Sequence, residues 1–572
     1  MQNSFHYWLP DELDHKFEDL KSAAFRGDLI NRIWEKDASV WTDDGEDEWL
    51  GWLDIAEKEF EERQKYEAFA DEVSSAGFES VVLLGMGGSS LCPEVLALTF
   101  GKQQFHILDS TVPAQIRALD SKLNIPKTLF IVASKSGSTL EPNTFKAYFY
   151  KRVCDEVGEE NAGSHFVAIT DPGSKLEEVA MRENFRAVFY GEPTVGGRFS
   201  ALSVFGMTPA AAMGIDVESF LGKAIQAVSE ARESADHNTA AMLGLIMGLC
   251  HREGRDKLTI FTSPEIFDLG AWMEQLIAES TGKEGVSIVP VDLEPLQPGE
   301  SYGNDRLFAF LTMEGDERFE REKLELSDEN QPYVAVELPS VETLGQEFFR
   351  WEFATAVAGS LMEINPFNQP DVESAKIEAR KLTDAYEKSG ELPADNPFLV
   401  SGEFAFHGDK ELAGRIGQKT DPETLTVLRE HFRRIRKRDY FAILAYIEMN
   451  DSTRELLQEI RSLILGKYGV ATSVGFGPRF LHSTGQAYKG GAANGVFLQI
   501  TSDDANDLDV PESNYSFGVV KAAQSRGDFE VLVDRGRRAL RVHMGSDVTK
   551  GLRGLVDLIQ EALETESRAE TS

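Results

Sequence analysis

From about residue 78 the chain keeps returning to one arrangement: a short apolar run, a loop of small or polar residues, then a stretch of helical periodicity. Runs at 81–84, 105–108, 129–133, 166–169 and 186–190 make a first set, and runs at 258–262, 286–290, 306–312 and 333–338 a second. Short apolar runs of this kind suit strands buried on both faces, and the helical stretches between them can serve as crossovers. The pattern predicts an α/β fold with two doubly wound parallel sheets. The shared rhythm of the two sets points to a duplicated unit. Ligands of such sheets lie beyond the carboxyl ends of the strands, so the loops after the runs are where function should be sought.

Four sections are expected. Residues 1–75 read as a polar helical region in which Trp49, Leu53, Ala56 and Phe60 recur at the spacing of one buried helix face. The tryptophans Trp8, Trp34, Trp41, Trp49 and Trp52 read as packing. Residues 76–216 and 217–392 hold the two sheets, with helices expected near 217–252, 342–363 and 371–388. Residues 393–572 form a smaller α/β section with strand-like runs at 440–447, 496–500 and 539–544.

Composition narrows the partners. A net charge of −38 repels phosphate-rich surfaces, which argues against nucleic acid and membrane. No run approaches the ~18 apolar residues of a membrane span, and the N-terminus lacks a basic-then-apolar signal pattern. Cys92, Cys154 and Cys250 stand far apart without metal-ligand spacing. A cytoplasmic protein is expected. An anionic small substrate would need a local cluster of positive or hydrogen-bonding groups.

Five loops can supply one. After the run at 129–133 come Ser134, Lys135, Ser136, Gly137, Ser138 and Thr139, leading into a helical stretch. Hydroxyls and free N–H groups at the positive end of a helix make an anion pocket. Earlier, after the run at 81–84, Gly85-Met86-Gly87-Gly88-Ser89-Ser90 lets backbone approach a ligand, although it is neither a dinucleotide fingerprint nor a P-loop. In Val195-Gly196-Gly197-Arg198-Phe199-Ser200 a tight turn can aim the guanidinium inward, where it could stabilise a developing oxyanion. Glu279 closes the largely apolar stretch AWMEQLIA, so its carboxylate sits partly desolvated, which suits a general base. In the stretch NPFNQP, Pro370 fits the first turn of a helix that puts Gln369 at its start and Lys376 about two turns on.

These pieces, GMGGSS, SKSGSTLEP, VGGRFSALSVFGM, AESTGK and NPFNQPDVESAK, strongly resemble the phosphoglucose isomerase family and keep its order over about 80–380. The stretch GFGPRFLHSTGQAYKGG resembles the form of that isomerase found fused behind a transaldolase. Fewer than 80 residues precede the first sheet, too few for the ~200-residue barrel of that partner. The resemblance implies two sugar-isomerase domains and the interconversion of glucose 6-phosphate and fructose 6-phosphate, a step of glycolysis and gluconeogenesis. It implies that Ser134, Ser136 and Thr139 bind the sugar phosphate, with Lys135 in the loop and Gly88 and Ser89 lining the site. Glu279 matches the base and Arg198 the group that steadies the cis-enediol(ate). Gln369 and Lys376 match the pair near ring oxygen and phosphate, with Lys376 assisting ring opening, and Glu141 matches a supporting carboxylate.

Isomerisation of this kind needs a base, an oxyanion donor and an acid to open the ring, but neither metal nor redox cofactor. One departure stands out: the family's ring-opening histidine is missing from the comparable stretch 300–306 (ESYGNDR). Ring opening then falls to Lys376 alone, to spontaneous opening, or to His482 from the last section. Expected partners are a hexose phosphate and, as an open option, a second copy of the chain. The alternatives are a sugar-phosphate sensor, which would need neither Glu279 nor Arg198 nor Lys376, a dual glucose/mannose phosphate isomerase, and the isomerase half of a glucosamine-6-phosphate synthase. The last expects an N-terminal cysteine nucleophile, where this chain has Gln2.

Overall fold

A computed structural model describes residues 2–233, 237–419 and 422–570. The strands are β1 (Ser4–Trp8), β2 (Ser80–Leu84), β3 (Phe105–Leu108), β4 (Thr128–Ala133), β5 (Phe166–Thr170) and β6 (Ala187–Tyr190). They continue as β7 (Lys257–Thr262), β8 (Val289–Val291), β9 (Arg306–Met313), β10 (Tyr333–Leu338), β11 (Leu399–Ser401) and β12 (Phe404–Gly408). The last four are β13 (Tyr440–Tyr446), β14 (Ala471–Phe476), β15 (Gly495–Ser502) and β16 (Arg538–Met544).

They form three sheets. The first, β3-β2-β4-β5-β6, is parallel throughout. The second is β1-β10-β9-β7-β8, parallel except for β1, which lies antiparallel on β10. The third, β11-β12-β16-β15-β13-β14, adds an antiparallel β11–β12 edge to four parallel strands. Strands β4, β5 and β13 are buried along their whole length, as continuous apolar runs require.

Strand order decides where the loops open. In the first sheet β2 is followed by β3 on one side, while β4 lies on its other side. The chain leaves β2 and β4 in opposite directions, and a crevice opens beyond their carboxyl ends. β7 repeats this in the second sheet, with β8 on one flank and β9 on the other.

One face of the first sheet and one of the second share a single apolar core, which includes Leu83, Ile131, Ile260 and Leu311. The helix Leu344–Met362 runs through it and is buried nearly all round, which a helix without a polar stripe demands. The third sheet has a separate core built on Phe441, Ile443, Leu498 and Leu540. Among the described residues no helix is long and apolar enough to cross a membrane.

Two features of the first section differ from the sequence reading. The stretch expected to be helical opens with β1, which pairs with β10 more than three hundred residues away. The periodic run at 49–60 is not one helix: short 3₁₀ turns at Glu46–Trp49 and Gly51–Leu53 precede the helix Ile55–Glu61. Leu50 bridges to Val195, and the Gly51 N–H donates to the Thr194 carbonyl at 3.1 Å, so a tertiary contact replaces the helical hydrogen bonds there. Trp52 is fully buried, in keeping with a packing role.

Candidate active site

The loop after β4 starts at Ser134, whose hydroxyl donates to Thr139 Oγ1 at 3.3 Å. Ser136 and Ser138 share a hydrogen bond of 2.7 Å. Thr139 is the N-cap of the helix Leu140–Val157 but makes no side-chain cap, so its hydroxyl is left to other partners. The result is a hydroxyl-rich cradle at the positive end of an eighteen-residue helix. Lys135 is not loose in this cradle: it pairs with Asp171 at 2.6 Å and donates to the Pro193 carbonyl at 3.0 Å. The turn Gly87–Ser89 after β2 faces the cradle. A β-carbon on Gly88 would stand 1.9 Å from the Gly197 carbonyl oxygen, so only glycine lets this turn meet the turn that carries Arg198.

Arg198 is 3% exposed and uses its whole fork. Nε donates to Ser280 Oγ at 2.8 Å, Nη1 to Gln369 Oε1 at 2.6 Å, and Nη2 to the carbonyls of Pro366 (2.6 Å) and Asn368 (2.9 Å). Burial draws the guanidinium below its ordinary pKa, and the Glu279 carboxylate opposes that shift. Glu279 lies in the last turn of the helix Leu269–Thr281, with Oε2 3.6 Å from Arg198 Nη1. That separation is an ion pair but too long for a hydrogen bond. One N–H thus faces the space beside the carboxylate, where a substrate oxygen can sit.

A second buried cation braces the same loop. Lys283 Nζ donates to the carbonyls of Asn365 (2.7 Å) and Asn368 (2.6 Å) and to Asn368 Oδ1 (3.0 Å). Burial, then the Arg198 charge, holds its ammonium well below the ordinary lysine range. Lys283→Met removes three hydrogen bonds and leaves the buried Asn365 carbonyl without its donor, an unsatisfied acceptor costing about 1–3 kcal/mol. Thermal unfolding is expected to show a clear drop in Tm, accompanied by lost turnover because Gln369 follows on that loop.

The last section, residues 393–572 with the third sheet, closes the site. His482 Nε2 donates to Glu141 Oε1 at 3.1 Å, and Gln524 Nε2 donates to the same oxygen at 2.7 Å. Burial pushes the Glu141 carboxyl up, but the charge and hydrogen bond of His482, helped by Lys376, bring it below the usual carboxylate range. Gln275 Nε2 donates to Glu279 Oε2 (3.2 Å) and to the His482 carbonyl (2.8 Å), joining Glu279 to the histidine turn.

The loops converge on one cavity of about 940 Å³. Gly88, Ser89, Ser134, Lys135, Ser136, Thr139, Glu141, Glu279, Gln369, Lys376 and His482 line it. Arg198 lies just behind, touching Glu279 and Gln369. Lys376 is paired with Glu373 at 2.7 Å and is more than a third exposed, so it stands at the cavity wall rather than on the floor. Three residues of the arrangement were not singled out from the sequence: Gln275, Lys283 and Gln524. Gln275 precedes Glu279 by one helical turn, a spacing that puts both on one face. It is 3% exposed, lines the cavity, and its Oε1 has no hydrogen-bond partner. Gln524 lies nearly four hundred residues from Glu141, and no local signal marks it.

Comparison with known proteins gives a consistent result. The phosphoglucose isomerase family model matches residues 44–295. A glucose-6-phosphate isomerase of Thermus thermophilus is 30% identical over 385 residues, 58% of this chain and 89% of that protein. One from Mycoplasmopsis pulmonis is 29% identical over 385 residues, covering 59% and 90%. Among solved structures, a hypothetical protein of Thermus thermophilus is similar with a TM-score of 0.56 and 28% identity, over 66% of this chain and 99% of that one. A glucose-6-phosphate isomerase of Chlamydia trachomatis shares the fold, with a TM-score of 0.55 at 19% identity over 68% and 89%.

Proposed function

The chain belongs to the phosphoglucose isomerase family, its activity is that of a glucose-6-phosphate isomerase, and we propose that Glu279, Arg198, His482 and Lys376 carry the steps. The observation that carries the proposal is the pairing of Glu279 with a buried arginine beside a cavity that Glu279 and the hydroxyl cradle both line.

The phosphate sits in the cradle of Ser134, Ser136 and Thr139 at the helix N-terminus, with Gly88 and Ser89 lining the sugar. His482 has Nε2 committed to Glu141, so Nδ1 meets the ring oxygen. It protonates that oxygen as the bond from C1 to the ring oxygen breaks, with Lys376 assisting from the wall; the C1 hydroxyl proton passes to solvent, which returns a proton to the imidazole, and the aldehyde forms. Glu279 then takes the proton from C2, the electron pair moves into the C1 carbonyl, and the oxyanion develops opposite Arg198 Nη1. Return of the proton to C1 and passage of the O2 proton to the O1 oxyanion give the ketose. One carboxylate reaching two adjacent carbons suffices. Gln275 Oε1, buried without a partner, accepts a substrate hydroxyl. The three cysteines are free, which suits the reducing cytoplasm as the setting.

A coupled assay with fructose 6-phosphate, run also in deuterium oxide, tests this. Glucose 6-phosphate carrying solvent deuterium at C2 is expected, and binding without turnover would overturn it. His482→Asn keeps a polar side chain but removes the titratable ring. Its expected effect is a fall in turnover on cyclic substrate of about 10²-fold, the lower end for a positioned acid. Unchanged turnover would remove His482 from the mechanism.

A further inference from the structure

The helices that carry the base and the lysine are joined by one side chain from the last section. Gln486 lies in the short helix Gly485–Gly490 and is fully buried. Its Oε1 accepts from the backbone N–H groups of Asp371 (3.0 Å) and Val372 (3.1 Å). Those are first-turn donors of the helix Pro370–Ser389, whose own N-cap, Gln369, makes no side-chain cap. Its Nε2 donates to the Gly282 carbonyl (2.8 Å) and to Asp371 Oδ2 (2.6 Å). Gly282 is the C-cap of the helix whose last turn bears Glu279. The amide therefore uses two acceptor and two donor positions to tie the end of one catalytic helix to the start of the other.

The surroundings are built for this contact. A β-carbon on Gly282 would stand 2.2 Å from Ala487 Cα, so the short helix can seat only against glycine. Asp371 is held from its other side by Arg535. The short helix is itself fixed by Lys489, paired with Asp528 at 2.6 Å with both side chains fully buried, and by Tyr488 stacked on Tyr440.

We propose that Gln486 is a positioning residue of the isomerase site, setting the placement of Lys376 and Gln369 relative to Glu279, and that the last section serves catalysis through it. Lys376 is little more than one helical turn from the Gln486 contact at Asp371 and Val372, so a slip of the first turn moves it bodily relative to the base, and displacements of about 1 Å can cost about 10²-fold in rate. The inference rests on the assignment of Glu279 and Lys376 made above.

The test is steady-state kinetics on fructose 6-phosphate with Gln486→Met, which keeps the volume, and Gln486→Glu, which keeps the acceptor but loses the donors beside Asp371. Both are expected to lower kcat at least tenfold while KM changes less than threefold. In a Lys376→Gln background, Gln486→Met is expected to cost less than threefold more, because a residue acting through Lys376 loses its effect once Lys376 is gone. Wild-type kcat in either variant, or the same fold-loss with and without Lys376, would overturn the proposal. If Gln486→Met does not fold, Gln486→Asn, one methylene shorter with the amide kept, gives the same decision by the same comparison. An inactive wild type would instead count against the underlying assignment.

Discussion

Glu279→Gln is expected to lower turnover of fructose 6-phosphate by about 10²–10⁴-fold, the range a positioned general base contributes. The substitution keeps the shape of the side chain and removes only its ability to take a proton. Gln275 Nε2 and Arg198 Nη1 both face Glu279 Oε2, at 3.2 and 3.6 Å. An amide can keep its oxygen toward those donors, so the loop that Arg198 holds is not disturbed. The proposed phosphate cradle is a different loop lining the same cavity, and KM is expected to change less than threefold. Deuterium exchange at C1 of fructose 6-phosphate, measured in deuterium oxide, should fall in proportion to turnover because both need the same proton transfer. Should exchange persist near the wild-type rate while net turnover falls, another group is the base and Glu279 acts only after it.

How much of this the sequence discloses depends on whether the signal is local. β4 and β5 are near-continuous apolar runs, and their strand character is written in the run itself. β1 and β14 are edge strands. Ser4–Trp8 acquires its place by pairing with Tyr333–Glu337, and Ala471–Phe476, rich in small and polar residues, by pairing with β13. Neither partner is within reach of a sequence window.

The site divides the same way. Arg198, Glu279 and Gln369 are legible because glycine pairs, helix ends and an N1 proline fix what such side chains can do over a few residues, and the family resemblance gave them roles. Gln524 and Gln486 act across more than a hundred residues, through amides that carry no charge and no motif of their own. Lys135 illustrates the opposite limit: a lysine inside a phosphate-loop pattern reads as a phosphate ligand, yet Asp171 already neutralises it at 2.6 Å. Coulombic pairing depends on the fold, and a motif alone does not show it.

Arg198 is where catalysis and architecture coincide, and its variants are expected to separate them. Arg198→Ala deletes the donor beside the developing oxyanion, a loss of about 10²–10³ in kcat. It also strips Ser280, Gln369 and the Pro366 carbonyl of this donor, leaves the Asn368 carbonyl to Lys283 alone, and leaves the Glu279 carboxylate buried without its counter-charge. Breaking one half of a buried pair costs about 3–5 kcal/mol, so Tm should fall as well. Arg198→Lys restores the charge but not the planar fork, since one ammonium cannot reach Ser280, Gln369 and two carbonyls together. The lysine variant is therefore expected to recover most of the lost Tm and little of the lost kcat. Both variants should retain KM better than kcat, because the residues proposed to hold the phosphate, Ser134, Ser136 and Thr139, are on a different loop from Arg198. Full activity in Arg198→Lys would show that charge alone is needed at this position, and the role assigned to the Nη1–H facing Glu279 would have to be given up.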